Sequence, residues 1–299
     1  MPHPIQAIYP DFPSFLEMNL ITTCPVGCSA PLVATATVMP EGPLLRCPQC
    51  GQWVSQCSEA RYWESMEEFN DPRGTLPNAD SAARSLRRSK KYLDNISALL
   101  GQAPQTTRLL DVGCSSGAFL GAAVKLGYAA EGVEPAAKAA ATAQAAGLKV
   151  HPGLLHEAAF ADASFDAVTL LEVIEHLKEP LPLLNEIQRI LRPGGILLVG
   201  TANADSWQAQ AFGAHWDYLS IAKHGGHISF FNPKSLEKLA AQAGLAKARL
   251  KTRSVRFSDR GNSSEPIYTL LKIAAELVNP LAALLHKGAD MAMYLRREK

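Results

Sequence analysis

From Arg108 onward the chain alternates short apolar runs with longer Ala/Leu-rich segments. The runs at 108–112, 129–134, 148–151, 166–171 and 195–201 have strand length, and their apolar character predicts strands buried on both faces. Helical spacing fills the gaps at about 117–126, 136–146 and 181–191. "RILRPGGILLVGTAN" runs from a helix through a Pro-Gly-Gly turn into a strand. Beyond it the pattern predicts a helix over 232–244 with Asn232 as N-cap, and a strand in "AKARLKTRSVRF". An amphipathic helix over 266–285, broken near Pro280, and a closing strand in "DMAMYLRRE" complete the pattern. The expected architecture is α/β: a doubly wound, seven-stranded, mostly parallel sheet with helices on both faces.

Before Arg108 the texture differs. Residues 1–60 are rich in Pro, Cys and Thr, with one strand pattern in "PLVATATV", and helical spacing takes over after "NDPRGTLPNAD". The expected division is a small module over 1–60, a helical linker or lid over 61–104 and the α/β domain over 105–299.

Hydrophobic content of 47% and a net charge of +1 fit a globular protein with a sizeable core and no global attraction to nucleic acid. The basic run Arg84–Lys91 reads as the solvated face of a helix. "MPHPIQAIYP" lacks the pattern of a signal peptide, and no uncharged apolar run reaches the ~18 residues of a spanning helix. A cytoplasmic location is the expectation, and there thiols stay reduced.

That changes the reading of the cysteines. Cys24 and Cys28 form C-x3-C, and Cys47 and Cys50 form C-x2-C in "CPQCG". Two such knuckles around a β-rich stretch describe a zinc ribbon whose fold depends on a structural Zn2+. A closed four-cysteine site points to structure and recognition rather than catalysis; Cys57 is left over.

"RLLDVGCSSGAFL" carries the candidate chemistry. Gly113, Ser115 and Gly117 spell G-x-S-x-G, the pattern of a hydrolase nucleophile elbow. The motif follows the first strand of the α/β domain, however, and nothing upstream resembles an oxyanion loop. A nucleoside cradle explains more: small residues let backbone approach a ligand, and Glu134 ends the second strand where it can accept ribose hydroxyls. The dinucleotide pattern G-x-G-x-x-G is absent, which disfavours NAD.

"LLDVGCSSGAFL", "GVEP", "FDAVTLLEVIEHL" and "ILRPGGILLVGTAN" resemble, in order and spacing, the motifs of class I S-adenosylmethionine-dependent methyltransferases, nearest to the ubiquinone-type O-methyltransferase group. The resemblance covers roughly 105–250. It implies that Asp111 lies near the methionine amino group, that Gly113, Cys114 and Gly117 let backbone approach the cofactor, and that Glu134 holds the ribose with Pro135 beside the adenine. Leu154 and Leu155 would serve the adenine by backbone and packing. Ser115 stands where the family usually has glycine; it becomes a lining residue if its φ stays negative.

The acceptor end is expected after the fourth strand. In "LLEVIEHL", Glu172, Glu175 and His176 are spaced to share a helical face, with Glu172 also counted among the cofactor contacts. "AKHGGHISFF" adds His224 and His227 on a Gly225-Gly226 loop. His176 is the first choice for general base and His227 the second, with Glu175 beside them. E-x-x-E-H with a later His is similar to the metal site of small-RNA 2′-O-methyltransferases, so a second divalent ion at Glu172, Glu175, His176 and His227 is an alternative. Trp207, Phe212, Trp216, Tyr218, Phe230 and Phe231 either wall an acceptor pocket or form the core of a lid.

The resulting expectation is methyl transfer from S-adenosylmethionine to a hydroxyl of a small molecule or sugar, with no nucleic-acid partner. N- or C-methylation stays open, as do oligomerisation and a minor membrane contact through 266–285. The rivals are a serine hydrolase using Ser115 and a non-catalytic cofactor-binding module.

Overall fold

The computed structural model describes residues 20–70, 79–255 and 265–298. The decapeptide at the N-terminus, most of the loop "NDPRGTLPNAD" and the last residues of "AKARLKTRSVRF" lie outside the described residues. The strands are β1 Val33–Met39, β2 Gly42–Arg46, β3 Trp53–Val54, β4 Arg108–Val112, β5 Ala129–Glu134, β6 Val150–Pro152, β7 Phe165–Leu171, β8 Leu191–Ala202, β9 Ser229–Phe230, β10 Leu245–Arg253 and β11 Asp290–Arg297.

Seven of them form one sheet in the order β10-β11-β8-β7-β4-β5-β6. Neighbours from β6 to β8 pair in parallel, while β11 runs antiparallel to both β8 and β10. Alternate side chains enter two different cores, as a pleated strand requires. Leu110, Val168, Leu197 and Val199 pack with Leu184, Ile187, Leu236 and Leu239. Leu109, Ala167, Ile196 and Leu198 face the other way, against Leu93 and Ile96 of the helix Ala79–Leu100. Burial on both faces explains why these strands read as continuous apolar runs.

The helix Pro180–Ile190 passes directly into β8, so Pro193-Gly194-Gly195 lies inside the strand segment rather than in a turn before it. Gly194 has φ +81°, and the β7–β8 register shifts between Phe165 and Ala167. A Cβ on Gly195 would lie 2.8 Å from the Arg192 carbonyl, so glycine is required where the irregular start meets the regular ladder.

A second sheet has the order β1-β2-β3-β9. Its fourth strand comes from the segment after β8: Trp53 pairs with Phe230 and Val54 with Ser229. Leu44, Trp216, Leu219, Phe230, Ala202 and Ala204 fill the space between this sheet and the end of β8. Most of the aromatic group at 203–231 is therefore core; Tyr218 sits at its edge and turns its hydroxyl to the acceptor end.

Candidate active site

Asp111 lies within β4, between Gly132 of β5 and Thr169 of β7. Its carboxylate accepts the Thr169 hydroxyl at 2.7 Å. Burial, outweighing that bond and reinforced by Glu134, pushes Asp111 up to about 7. The chain then turns through Gly113 (φ +73°), Ser115 (φ +48°) and Gly117 (φ +86°) into the helix Ala118–Lys125. The condition of a negative φ at Ser115 is therefore not met. Serine occupies a left-handed position that favours glycine, and a specific contact holds it there. Its backbone N–H donates to Oε2 of Glu134 at 2.8 Å, while Oε1 of Glu134 accepts the N–H of Ala136 at 2.8 Å. Each oxygen keeps acceptor capacity for a further donor.

The turn is close-packed. A Cβ on Gly113 would come within 2.5 Å of Val173 Cγ2, and one on Gly117 within 2.3 Å of Leu148 Cδ1. Cys114 is buried, and a Cβ on Gly132 would meet its sulfur at 2.6 Å. Burial, followed by the Asp111 and Glu134 charges, pushes the Cys114 thiol up to about 12. Pro135 is exposed at the strand end. Leu155 is buried in the main core, while Leu154 points to solvent. Arg87 and Arg88 are exposed on their helix.

Val173, which abuts Gly113, introduces the second half of the site. Glu172, Glu175 and His176 do not lie on an α-helix: Glu172 has φ +54°, and a short 3₁₀ turn spans Ile174–His176. They converge nonetheless, because Tyr218 donates its hydroxyl to Glu175 and also lies 3.3 Å from Glu172. Thr201 of β8 donates to the other Glu175 oxygen at 3.0 Å. Glu175 is fully buried, and burial raises its pKa despite these donors. Burial of the carboxyl end and the Glu175 charge also push Glu172 up, a shift softened by that residue's exposure to solvent.

His227 lies opposite, with its ring 4.7 Å from that of His176 and 5.0 Å from that of His224. Its Nδ1 is 2.9 Å from the Tyr218 carbonyl, which assigns the proton to Nδ1 and leaves the Nε2 lone pair facing Glu175 Oε1 at 3.9 Å. Burial, reinforced by His176 and His224, lowers His227 to about 3; burial lowers His176 to about 4. Both rings are neutral at pH 7. Donor atoms of Glu175, His176 and His227 lie within 4.8 Å of one another, and Glu172 stands outside that group.

The cysteine module holds this half of the site from behind. Ser55 donates its backbone N–H to the Ile228 carbonyl at 2.9 Å, and Ile228 donates its own to the Glu175 carbonyl at 3.1 Å. Buried Gln52 donates to the Ser229 hydroxyl at 2.8 Å. From the helix Glu59–Asn70, Tyr62 donates to the His176 carbonyl at 2.9 Å and Ser65 accepts the Gly226 N–H at 2.9 Å. The helix Pro233–Gln242 grips both cysteine knuckles: Lys234 reaches the Gln49 carbonyl, Lys238 the Cys28 sulfur and Gln242 the Val26 carbonyl, from positions four apart.

Cys24, Cys28, Cys47 and Cys50 are buried with their sulfurs within 4.8 Å of one another. Tetrahedral zinc with ~2.3 Å bonds sets sulfurs about 3.8 Å apart, and Cys24 and Cys50 are 3.6 Å apart, so the donor set fits such an ion. Burial raises Cys47, but the backbone groups of Cys50 and Gln49 outweigh it and bring the thiol down to about 7. Burial pushes Cys24 up to about 11 and Cys50 higher still. Four sulfurs crowded into one buried cluster are what a cation would resolve.

Sequence spacing did not single out Tyr218 as a carboxylate partner, nor Thr169, Thr201, Tyr62 or Ser55. Each acts across a long stretch of chain, and none carries a local pattern.

A sheet closed by a reversed last hairpin, with an acid-ended second strand beside a glycine turn, is the architecture of class I S-adenosylmethionine-dependent methyltransferases. A family model described as "Methyltransferase domain" matches residues 83–250, more than half of the chain. The chain belongs to this methyltransferase family. It is 35% identical over 148 residues to the ubiquinone biosynthesis O-methyltransferase of Dinoroseobacter shibae, covering 46% of this chain and 59% of that one. It is 29% identical over 201 residues to the protein of the same name from Thiobacillus denitrificans, covering 64% of this chain and 80% of that one. Among solved structures, the 1,6-didemethyltoxoflavin-N1-methyltransferase of Burkholderia thailandensis superposes with a TM-score of 0.52 over 85% of this chain and 99% of that chain, at 13% identity. That likeness concerns the fold.

Proposed function

We propose that the protein transfers a methyl group from S-adenosylmethionine to a hydroxyl oxygen of a small molecule or sugar. The observation that carries this reading is the Glu134 carboxylate, fastened to the Ser115 and Ala136 N–H groups at the carboxyl edge of the sheet, with a histidine cluster beyond β7, two strands along the same edge. The two curated relatives named above are O-methyltransferases by name, which favours oxygen over nitrogen or carbon.

In this reading Glu134 accepts the ribose hydroxyls, and Asp111 faces the methionine amine. S-adenosylmethionine supplies the methyl group. The acceptor oxygen attacks the methyl carbon in line, the sulfur leaves with the bonding pair, and the hydroxyl proton passes to a histidine. His227 Nε2 is favoured over His176 because Nδ1 is oriented by the Tyr218 carbonyl and Glu175 faces Nε2, ready to stabilise the imidazolium. Enforced alignment of this kind supplies up to ~7–11 kcal/mol of a barrier. The cysteine module holds one structural zinc, and its thiols suit a reducing cytoplasm.

A second reading rests on Glu175, His176 and His227 as ligands of a divalent ion that polarises the acceptor. The Tyr218 carbonyl on His227 Nδ1 is the outer contact such a ligand uses. Metal content separates the two: one zinc per chain supports the first reading. Two ions per chain, falling to one in Glu175→Gln, support the second. Incubation with methyl-labelled S-adenosylmethionine and extract of the host, followed by mass identification of the product, tests the function; no labelled product overturns it.

A further inference from the structure

The connection from β10 to β11 contains the helix Glu265–Leu284, twenty residues at the same sheet edge as the site. By length and composition it is apolar enough to cross a membrane, yet only 11% of its most apolar window is buried in the protein. Ala275 and Ala282 are the buried positions, seven residues apart, and Asn279 ties the helix to the Val255 N–H. The side chains turned outward are the large ones. Leu270, Leu277 and Leu284 are 67%, 77% and 75% exposed and also stand seven apart.

These leucines form one half of a heptad seam. Ile267, Ala274 and Leu281 occupy the alternate positions, three residues before each leucine, and all three are exposed. A repeat of 3.5 residues is the signature of a helix that packs against another helix. The seam is also self-complementary when reversed. Set antiparallel across a two-fold axis, Ile267 meets Leu284 of the other copy, Leu270 meets Leu281, and Ala274 meets Leu277, so every layer pairs one position of each kind. The small Ala274 then faces the most exposed leucine.

Area and charge agree with this occupant. With Ile273 and Leu285, the exposed Ile and Leu side chains offer on the order of 700 Å², near the ~800 Å² per partner of a standard interface. The charged side chains on the helix itself are Glu265, Lys272 and Glu276, with Lys272 and Glu276 3.9 Å apart, so its own surface carries no row of basic residues to draw it to an anionic lipid surface.

We propose that this helix is a homodimer interface: a second copy of the chain covers it through an antiparallel helix pair. Dimerisation closes the apolar face beside the sheet edge at which the acceptor end opens. Sedimentation equilibrium on the full chain with S-adenosylhomocysteine tests this. The expected result is a dimer whose dissociation constant rises at least a hundredfold in Leu277→Glu, with nucleoside binding unchanged as proof of folding. Leu277→Met, which preserves the seam, should leave the dimer within a few-fold. A chain that is monomeric at tens of micromolar overturns the proposal, as does a dimer indifferent to Leu277→Glu. Flotation with phosphatidylglycerol vesicles by a monomeric wild type would assign the face to lipid instead.

Discussion

Ser115 sits in a left-handed conformation with its backbone N–H on the carboxylate of Glu134, 2.8 Å away. The residue in the nucleophile position of G-x-S-x-G thus contributes its main chain, and the acid at the end of the next strand sets the shape of the turn. Ser115→Gly should keep turnover within a few-fold and change the midpoint of thermal unfolding little, since relief of ~1 kcal/mol of strain is offset by glycine's greater chain entropy. A serine hydrolase would instead lose all activity, measured against a panel of activated esters.

Glu134→Ala removes the acceptor for two backbone N–H groups and, in the proposed reading, for the ribose. Titration calorimetry with S-adenosylhomocysteine should show at least a tenfold loss of affinity, about 1.4 kcal/mol or more. Glu134→Gln should lie between, because its single carbonyl oxygen cannot serve both N–H groups. Unchanged binding in the Ala variant would remove the ribose assignment.

With Asp111 facing the methionine amine as proposed, its raised pKa, about 7, is expected to make nucleoside binding depend on pH. A cationic amine favours the ionised carboxylate, so affinity should fall as pH drops below about 7, with proton release on binding. The sign for folding is the reverse. Between the ordinary range near 4 and about 7 the folded chain holds a proton that the unfolded chain has lost, so this group's contribution to stability declines as pH rises through that window. Asp111→Asn should flatten the pH dependence of binding.

His176 and His227, lowered to about 4 and about 3, stay neutral well below the usual imidazole range. At saturating cofactor and acceptor, the acid limb of kcat should therefore lie below pH 5 rather than near 6.5. His227→Ala should cost 10²–10⁴-fold in kcat, with His176→Ala less severe. For stability, these depressed values contribute fully above about 6.5 and are lost as pH falls toward 4. An acid limb at 6.5 would point to a different base.

If the cysteine module holds zinc as proposed, stripping the metal should act beyond that module, because Ser55 holds Ile228 and Ile228 holds Glu175. Cys47→Ser or strong chelation should lower the unfolding midpoint and reduce acceptor turnover by more than tenfold, while nucleoside affinity at Glu134 changes less than threefold. Equal losses of both would show a general collapse rather than a local one.

The sheet and its helices were legible in the chain because each strand buried on two faces leaves an uninterrupted apolar run, and each helix leaves its own period. β4 and β5 coincide with the runs at 108–112 and 129–134. The cysteine spacing likewise announced four sulfurs that the fold gathers. Glu175 and His176 were found by their spacing, although the backbone that presents them is a left-handed residue and a 3₁₀ turn instead of a helical face.

The sequence by itself determined the local elements, the glycine turn and the identity of the titratable groups, because these depend on neighbours along the chain. Only the tertiary structure decided that the cysteine module borrows β9 as its fourth strand and stands behind His227, and that Tyr218 gathers the two glutamates. Such contacts join residues from 43 to more than 170 positions apart. They arise from burial and hydrogen-bond satisfaction in three dimensions, and no periodicity in one dimension encodes them.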